Sequence, residues 1–309
     1  MPLINHCNGG GGTPQLCGQV ENFEAGLGNL SVILSWTAPS PDEDNSFVGA
    51  RIVRKIGSAP TGINDGTIVY EGTALTYTDT GLTDGTTYYY RAFAYNAKKK
   101  YQTEYRVASL TAIALNSNFA SNTWEQIIAA CQSGSVPDTW VAGDSKTMTI
   151  DGADYLVDII GKGHDTYAAG GTAPLTFQLH DCLSTTYTWN SPSDDLITKL
   201  PESIQSAIKP VSKTINNKSV SKKLFNLTEK EVFGTKKYAT YAEGTQYAYY
   251  AAGNSKIKKV NGNAAGWWLS SLVLYYEGNI QNALIVSTTG ASEKVSPTAR
   301  SYLAFAFCF

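Results

Sequence analysis

The residue groups best suited to chemistry lie in the second half of the chain. His164-Asp165 and His180-Asp181-Cys182 each place a titratable ring beside a carboxylate, and the second group adds a thiol. A Cys–His pair can act as nucleophile and base, and His with Asp can hold a metal ion. Near the start, His6, Cys7 and Cys17 offer soft ligands but lack the second paired motif of a zinc site. None of these groups sits in an HExxH, GxSxG, phosphate-loop or paired CxxC pattern. On a strand, His180 and Cys182 would share a face while Asp181 pointed away. The expectation is therefore structural: no catalytic residue, no metal and no cofactor, with Asp165 or Asp181 capping a loop.

The elements around these groups follow from composition and pattern. The chain has 309 residues with a net charge of −2, and only 16% of them are charged. It carries no cation excess to displace counterions from a phosphate backbone, so nucleic acid is not an expected partner. No apolar run of about 18 residues is present, so no membrane insertion is expected. The first residues lack a basic and then apolar leader pattern, and five cysteines are few and odd in number. Synthesis and folding in a reducing cytoplasm are expected. Counts of 32 Thr, 19 Tyr and 28 Gly favour strands and turns.

Four stretches separate along the chain. Residues 1–17, with Gly9 to Gly12 in a row, can bury almost nothing and read as an attachment arm. Residues 18–113 read as short, regularly spaced strands. Val32, Leu34 and Trp36 fall on one face, as do Tyr88, Tyr90, Ala92 and Ala94. Asp84-Gly85 turns the chain, and Leu82 with Tyr88 suits a corner whose hydroxyl bonds to backbone. Lys98-Lys99-Lys100 reads as a solvated turn. Residues 114–121 read as a linker.

Residues 122–309 read as an α+β domain. Asn122 with Glu125 predicts a helix start, Gly134 a helix end, and Trp124, Ile127, Ile128 and Cys131 a buried face. Cys131 is expected to be a small buried hydrophobe. Asp151-Gly152 predicts a hairpin across 147–160. Leu175 to Leu179 reads as a strand, and 193–208 as one or two helices broken at Pro201. Residues 209–259 hold eleven Lys against three Glu, with Tyr238, Tyr241, Tyr247, Tyr249 and Tyr250 interleaved. This stretch reads as a solvated surface, with single-stranded nucleic acid or acidic glycans as alternatives. Leu303 to Phe309 is nearly all apolar and reads as a central buried strand packed on Trp267-Trp268. The chain between these anchors lacks a sustained period and reads as loops on a rigid frame, where recognition concentrates.

Two resemblances attach to these residues. Leu34-Ser35-Trp36, the Gly81-Leu82…Gly85-Thr86…Tyr88 corner and Tyr90-Arg91-Ala92-Phe93-Ala94 resemble a fibronectin type III domain, which implies an all-β sandwich serving as a spacer. Trp124-Glu125-Gln126-Ile127, Gly143-Asp144-Ser145-Lys146-Thr147, Ile160-Gly161…His164-Asp165-Thr166, Leu175-Thr176-Phe177, Glu243-Gly244-Thr245-Gln246-Tyr247, Gly266-Trp267-Trp268-Leu269 and Ala304-Phe305-Ala306-Phe307-Cys308 resemble a phage and bacterial domain of unknown function. It looks like the C-type-lectin-like fold of diversity-generating-retroelement variable proteins and formylglycine-generating enzymes. The family usually shows Trp-Trp-Leu-Arg-Ser-Pro, whereas this chain has Ser270 and Leu272 at the Arg and Pro positions.

The second resemblance implies a variable-type region at 267–309. Its ligand-binding positions would be Val273, Leu274, Tyr275, Tyr276, Glu277, Asn279, Gln281, Glu293, Lys294, Ser296, Thr298, Arg300 and Tyr302. The implied protein is a phage tail receptor-binding adhesin, made in the host cytoplasm, carried on the virion and acting extracellularly. Its partners would be a host-cell surface protein or glycan, other tail proteins through the arm, and copies of itself, with a trimer as the analogy. The chemistry of the formylglycine-generating branch needs a cysteine pair near the C-terminal core, where this chain has only Cys308. An enzyme on that scaffold, a bacterial surface adhesin and a purely structural tail protein are the alternatives.

Overall fold

The computed structural model describes residues 18–28, 30–39, 47–83, 85–103, 108–189, 194–275 and 279–309. The expected arm at 1–17, with His6, Cys7 and Cys17, lies outside the described residues. The chain divides into two compact units, Met1–Leu115 and Asn116–Phe309, and strands predominate over helices. Among the described residues, no helix is long and apolar enough to cross a membrane.

The first unit holds β1 (Glu21–Gly28), β2 (Ser31–Thr37), β3 (Phe47–Ile56), β4 (Thr67–Gly72), β5 (Thr76–Thr80), β6 (Thr87–Asn96) and β7 (Ala108–Ile113). A three-stranded sheet, β1-β2-β5, and a four-stranded sheet, β4-β3-β6-β7, are antiparallel throughout. Both sheets feed one core: Val32, Leu34 and Trp36 from β2, Ile52 from β3, and Tyr88, Tyr90, Ala92 and Ala94 from β6. This is a fibronectin type III-like sandwich. Its tyrosine corner forms as expected, with Tyr88 Oη accepting the Thr83 N–H at 2.8 Å beside buried Leu82. The Lys98 to Lys100 segment is a turn, and Lys99 reaches Glu71 at 2.6 Å.

The second unit begins earlier than its pattern predicts. Residues 114–121 are not a free linker. Ala114 joins the first core, while Phe119, in a 3-10 turn at Phe119–Ser121, packs on Trp124, Trp140 and Phe177. The helix α1 (Trp124–Ser133) is capped by Thr123 and Gln126 in a reciprocal box, one residue later than expected. Asn122 is buried and its carboxamide binds the carbonyls of Asn116, Asn118 and Phe119, so it holds the approach to the helix rather than its first turn. Gly134 ends the helix at φ 69°, as its lack of a Cβ allows.

Next come β8 (Ser145–Ile150) and β9 (Ala153–Lys162), joined at Asp151-Gly152, both with positive φ. This is the left-handed pair a two-residue hairpin needs. Then follow β10 (Leu175–Leu179), β11 (Thr186–Tyr187), a 3-10 helix (Asp194–Lys199) and α2 (Glu202–Ala207), separated at Pro201. The remainder is β12 (Val211–Ile215), β13 (Lys218–Lys222), α3 (Glu229–Phe233), α4 (Ala248–Ala251), β14 (Lys258–Val260), β15 (Asn263–Ala265), β16 (Trp267–Leu274), β17 (Ile280–Val286), β18 (Ser292–Val295), β19 (Ser301–Tyr302) and β20 (Ala306–Cys308). Two sheets organise them, in orders β20-β10-β9-β8 and β11-β19-β16-β17-β18, with hairpins β12-β13 and β14-β15.

Two expectations for the C-terminal region need correction. Residues 303–309 are all buried, but only β20 is a strand, and it ends its sheet beside β10 rather than lying at the centre. Single bridges from Lys209 and Phe225 cover its other side. Trp267 and Trp268 belong to the other sheet. The stretch between these anchors is also regular, since β16, β17 and β18 pair antiparallel. Six consecutive residues of β16, Trp267 to Leu272, are buried, so both of its faces are covered and the alternation that marks a half-exposed strand is lost.

Candidate functional site

The expected positions fall on the sheet β19-β16-β17-β18 and its turns. Val273 and Leu274 are half-buried at the end of β16. Tyr275 follows them, 57% exposed, and its N–H donates to the Asn279 carbonyl at 2.7 Å. Tyr276 and Glu277 lie outside the described residues. Asn279, Gln281, Glu293 and Lys294 are exposed. The register sets Asn282 opposite Val273, and Lys294 opposite Leu284, so these positions share one three-stranded ribbon. Ser296 and Thr298 bond each other at 2.8 Å in the turn after β18.

Arg300 and Tyr302 sit elsewhere. Tyr302 on β19 pairs with Trp267, at the start of β16, and Arg300 donates to the hydroxyl and carbonyl oxygens of Thr186. Tyr275 is eight residues further along the same strand direction, roughly 25 Å at about 3.3 Å per residue. The eleven described positions therefore do not form one patch.

Sequence reading missed a third contributor, the segment at 236–241. It meets β16 at its open edge, where the Thr240 N–H donates to the Leu272 carbonyl and the Leu274 N–H to Thr240 Oγ1, both at 2.9 Å. Its Tyr238 ring lies against β18, with Lys294 Nζ 5.0 Å from the ring centroid. Exposed Lys236, Lys237 and Tyr241 thus border the ribbon. The available signal was the Lys236-Lys237-Tyr238 run, which the broader basic stretch obscured. That stretch is not one surface, because Lys213, Lys258, Tyr247, Tyr249 and Tyr250 are buried.

The groups that could do chemistry are held apart. The strand β10 ends at Leu179, so His180, Asp181 and Cys182 do not alternate along a strand as expected. His180 Nδ1 lies 2.8 Å from buried Asp158, whose other oxygen accepts the Ser145 hydroxyl at 2.6 Å. The hydrogen bond to Asp158 raises the imidazole pKa against the opposing effect of burial. Asp181 caps no local turn by this bond: it accepts the N–H of Lys259 on β14 at 2.7 Å, 78 positions further along the chain. Cys182 is buried, and burial pushes its thiol up to about 12. His164 stacks on Tyr247 with centroids 3.9 Å apart, and burial lowers its pKa.

Asp165, its neighbour, is buried in an ion cluster. It takes hydrogen bonds from Thr176 (2.6 Å), Tyr247 (2.8 Å) and Lys213 (3.0 Å), and Lys213 also meets Glu231 at 2.5 Å. Burial opposes ionisation of Asp165, but the Lys213 ammonium and these bonds hold its carboxyl below the ordinary range. Among the described residues, no group of three His, Cys, Asp or Glu side chains is placed to hold a metal ion.

Comparison with known proteins gives the following. The model of a domain of unknown function, DUF6273, matches residues 164–302, less than half of the chain. No curated protein matches the sequence. Among solved structures, the chain is similar to the twitchin kinase region of C. elegans (19% identity over 29% of this chain and 15% of that one, TM-score 0.23). It is similar to the fibronectin type III domain of human fibronectin type III domain containing protein 3 (20% identity, 38% and 100% covered, TM-score 0.26). It is also similar to a fibronectin type III domain derived from human KIAA0970 protein (18%, 31% and 69%, TM-score 0.20). The chain spans 15% of the length of the first of these.

Proposed function

We propose that the chain is a ligand-binding adhesin: a fibronectin-like spacer joined to a C-type-lectin-like domain that binds a host-cell surface molecule. The reading extends to a phage tail receptor-binding protein of the retroelement-diversified kind, carried on the virion through residues 1–17. The observation that carries it is a contrast along one strand. At its start, Trp267, Trp268 and Leu269 are wholly buried, and just past its end Tyr275 is 57% exposed. The frame is fixed by core packing while the tip presents a large, stiff side chain at low entropy cost, a property that favours tyrosine at contact surfaces. Binding here is surface complementarity without turnover, and several copies on one particle would raise avidity from weak single sites.

The test is adsorption of the fluorescently labelled full chain to a panel of bacterial isolates. Some isolates should bind it and others should not. Tyr275→Ala with Tyr276→Ala should weaken adsorption at least about tenfold, as loss of aromatic anchors does, with an unchanged melting curve. Retained adsorption by this variant would place the contact surface elsewhere.

A further inference from the structure

Loops rich in lysine are usually solvated and loosely held. The loop at 236–241 is built differently. The buried carboxylate of Glu229 accepts the N–H groups of Lys237 (2.9 Å), Tyr238 (3.0 Å) and Ala239 (2.9 Å), and also the Ser292 hydroxyl. Lys236 Nζ closes the loop on the Thr240 carbonyl at 2.7 Å. Thr240 ties one end of the loop directly to β16, and Glu229 links residues 237–239 to β18 through Ser292.

On this fixed backbone two ammonium groups share one aromatic ring. Lys237 Nζ lies 4.7 Å and Lys294 Nζ 5.0 Å from the centroid of Tyr238. The ring quadrupole attracts each cation, which gathers like charges that would otherwise separate. Among the described residues, Lys236, Lys237 and Lys294 form no ion pair with a carboxylate. Two acids place charge near Lys237, first the buried Glu229 carboxylate and then exposed Glu293. Tyr241, 39% exposed, follows in the same loop, and Tyr275 stands past the end of the strand the loop pairs with.

We infer that the 236–241 loop and Lys294 form a fixed subsite of the binding surface, and that it takes an acidic glycan, a saccharide bearing carboxylate or sulfate groups. The inference rests on the adhesin reading and names its ligand class. Ammonium groups supply charge-assisted hydrogen bonds to the anions, and tyrosine rings supply flat apolar faces for the C–H face of a sugar ring. Glu229 holds the loop by backbone bonds, so side chains on the β16–β17 turn can change without displacing the cations.

The experiment measures binding of the full chain to alginate oligosaccharides (carboxylated), heparin oligosaccharides (sulfated), dextran (neutral) and an oligothymidylate of matched charge. At least one acidic glycan should bind tenfold or more tighter than dextran and the oligothymidylate, and the two acidic arms separate carboxylate from sulfate. Lys237→Gln with Lys294→Gln should weaken that binding at least tenfold. The control, Lys218→Gln with Lys223→Gln, two exposed residues on β13 and just past its end, should stay within twofold, with unchanged melting for both. Equal loss in the control, equal or tighter binding to the oligothymidylate, or no binding to either glycan overturns the inference. If cells still adsorb the lysine variant but not the Tyr275/Tyr276 variant, the glycan subsite fails and the adhesin reading stands. Glycan binding with no adsorption to any isolate sinks the adhesin reading instead.

Discussion

Ser292, on the edge strand of the candidate ribbon, donates its hydroxyl to the buried carboxylate of Glu229, 63 positions earlier in the chain. Glu229 also accepts three consecutive backbone N–H groups from residues 237–239. One acid therefore fixes the loop and the strand that flank the same surface. Removing the acceptor strands two buried donors, the Ala239 N–H and the Ser292 hydroxyl, at about 1–3 kcal/mol each.

Glu229→Ala is accordingly expected to destabilise the second unit by at least about 2 kcal/mol, and Glu229→Gln, which keeps one acceptor oxygen, by about half that. Urea unfolding followed by tryptophan fluorescence checks this, since Trp124, Trp140, Trp267 and Trp268 all belong to that unit. A loss below about 1 kcal/mol for the alanine variant would mean that the loop is not held by this carboxylate.

Local signals were legible in the sequence and distant ones were not. The Asp151-Gly152 turn, the Gly134 helix end and the Tyr88 corner each rest on residues within a few positions of one another, and each formed as read. The Thr123 cap was misread by one residue because Asn122 is an equally good cap by type, and only its buried bonds to 116–119 reveal its other role. The strands at 267–295 read as irregular because core packs on both faces of β16. Lys213 and Glu229 looked like surface charges. Among their partners, Asp165 lies 48 residues from Lys213 and Ser292 lies 63 from Glu229, separations no periodicity encodes.

Stability should fall as pH rises from about 6.5 toward 8, through the Asp158–His180 pair. The pair raises the His180 pKa, with Asp181 adding to the effect and Lys258 and burial opposing it. A raised histidine contributes stability that is complete below its unfolded value, near 6.5, and lost as pH climbs through the folded value. His164 acts in the other direction. Burial lowers its pKa, so its penalty appears only as pH drops below about 6.5. Melting temperatures across this range should slope downward in the wild type and flatten in His180→Asn. An unchanged slope in that variant would discard the pair as the cause.

Thiol reactivity separates an inert scaffold from a cysteine enzyme. Burial pushes the Cys131 and Cys182 thiols up to about 12, and Cys308 higher still. All three are free and buried. In a Cys7→Ser/Cys17→Ser background, the folded protein should consume no aromatic disulfide reagent at pH 8, and the unfolded protein three equivalents. Rapid reaction of Cys182 in the folded state would revive the nucleophile reading beside His180.

The last expectation concerns the cluster around Lys213, whose ammonium meets Asp165 at 3.0 Å and Glu231 at 2.5 Å in the interior. Lys213→Met leaves two carboxylates buried without their cation, and breaking a buried pair in this way costs about 3–5 kcal/mol. The pH dependence shows whether charge or packing is responsible. In the wild type the Asp165 pKa is depressed, so its contribution is present above the unfolded value, near 3.8, and lost as pH falls through the folded value. Without Lys213 the same burial pushes the Asp165 pKa up, and protonation then relieves the unpaired charge. The variant should therefore gain stability between pH 7 and 5, where the Asp165 contribution in the wild type stays constant. Adding Asp165→Asn and Glu231→Gln should recover much of the loss at pH 7, because no net charge then remains to be buried. If Lys213→Met lost stability equally at every pH, the lysine would matter through its packing on Phe225 and Tyr247 rather than through its charge.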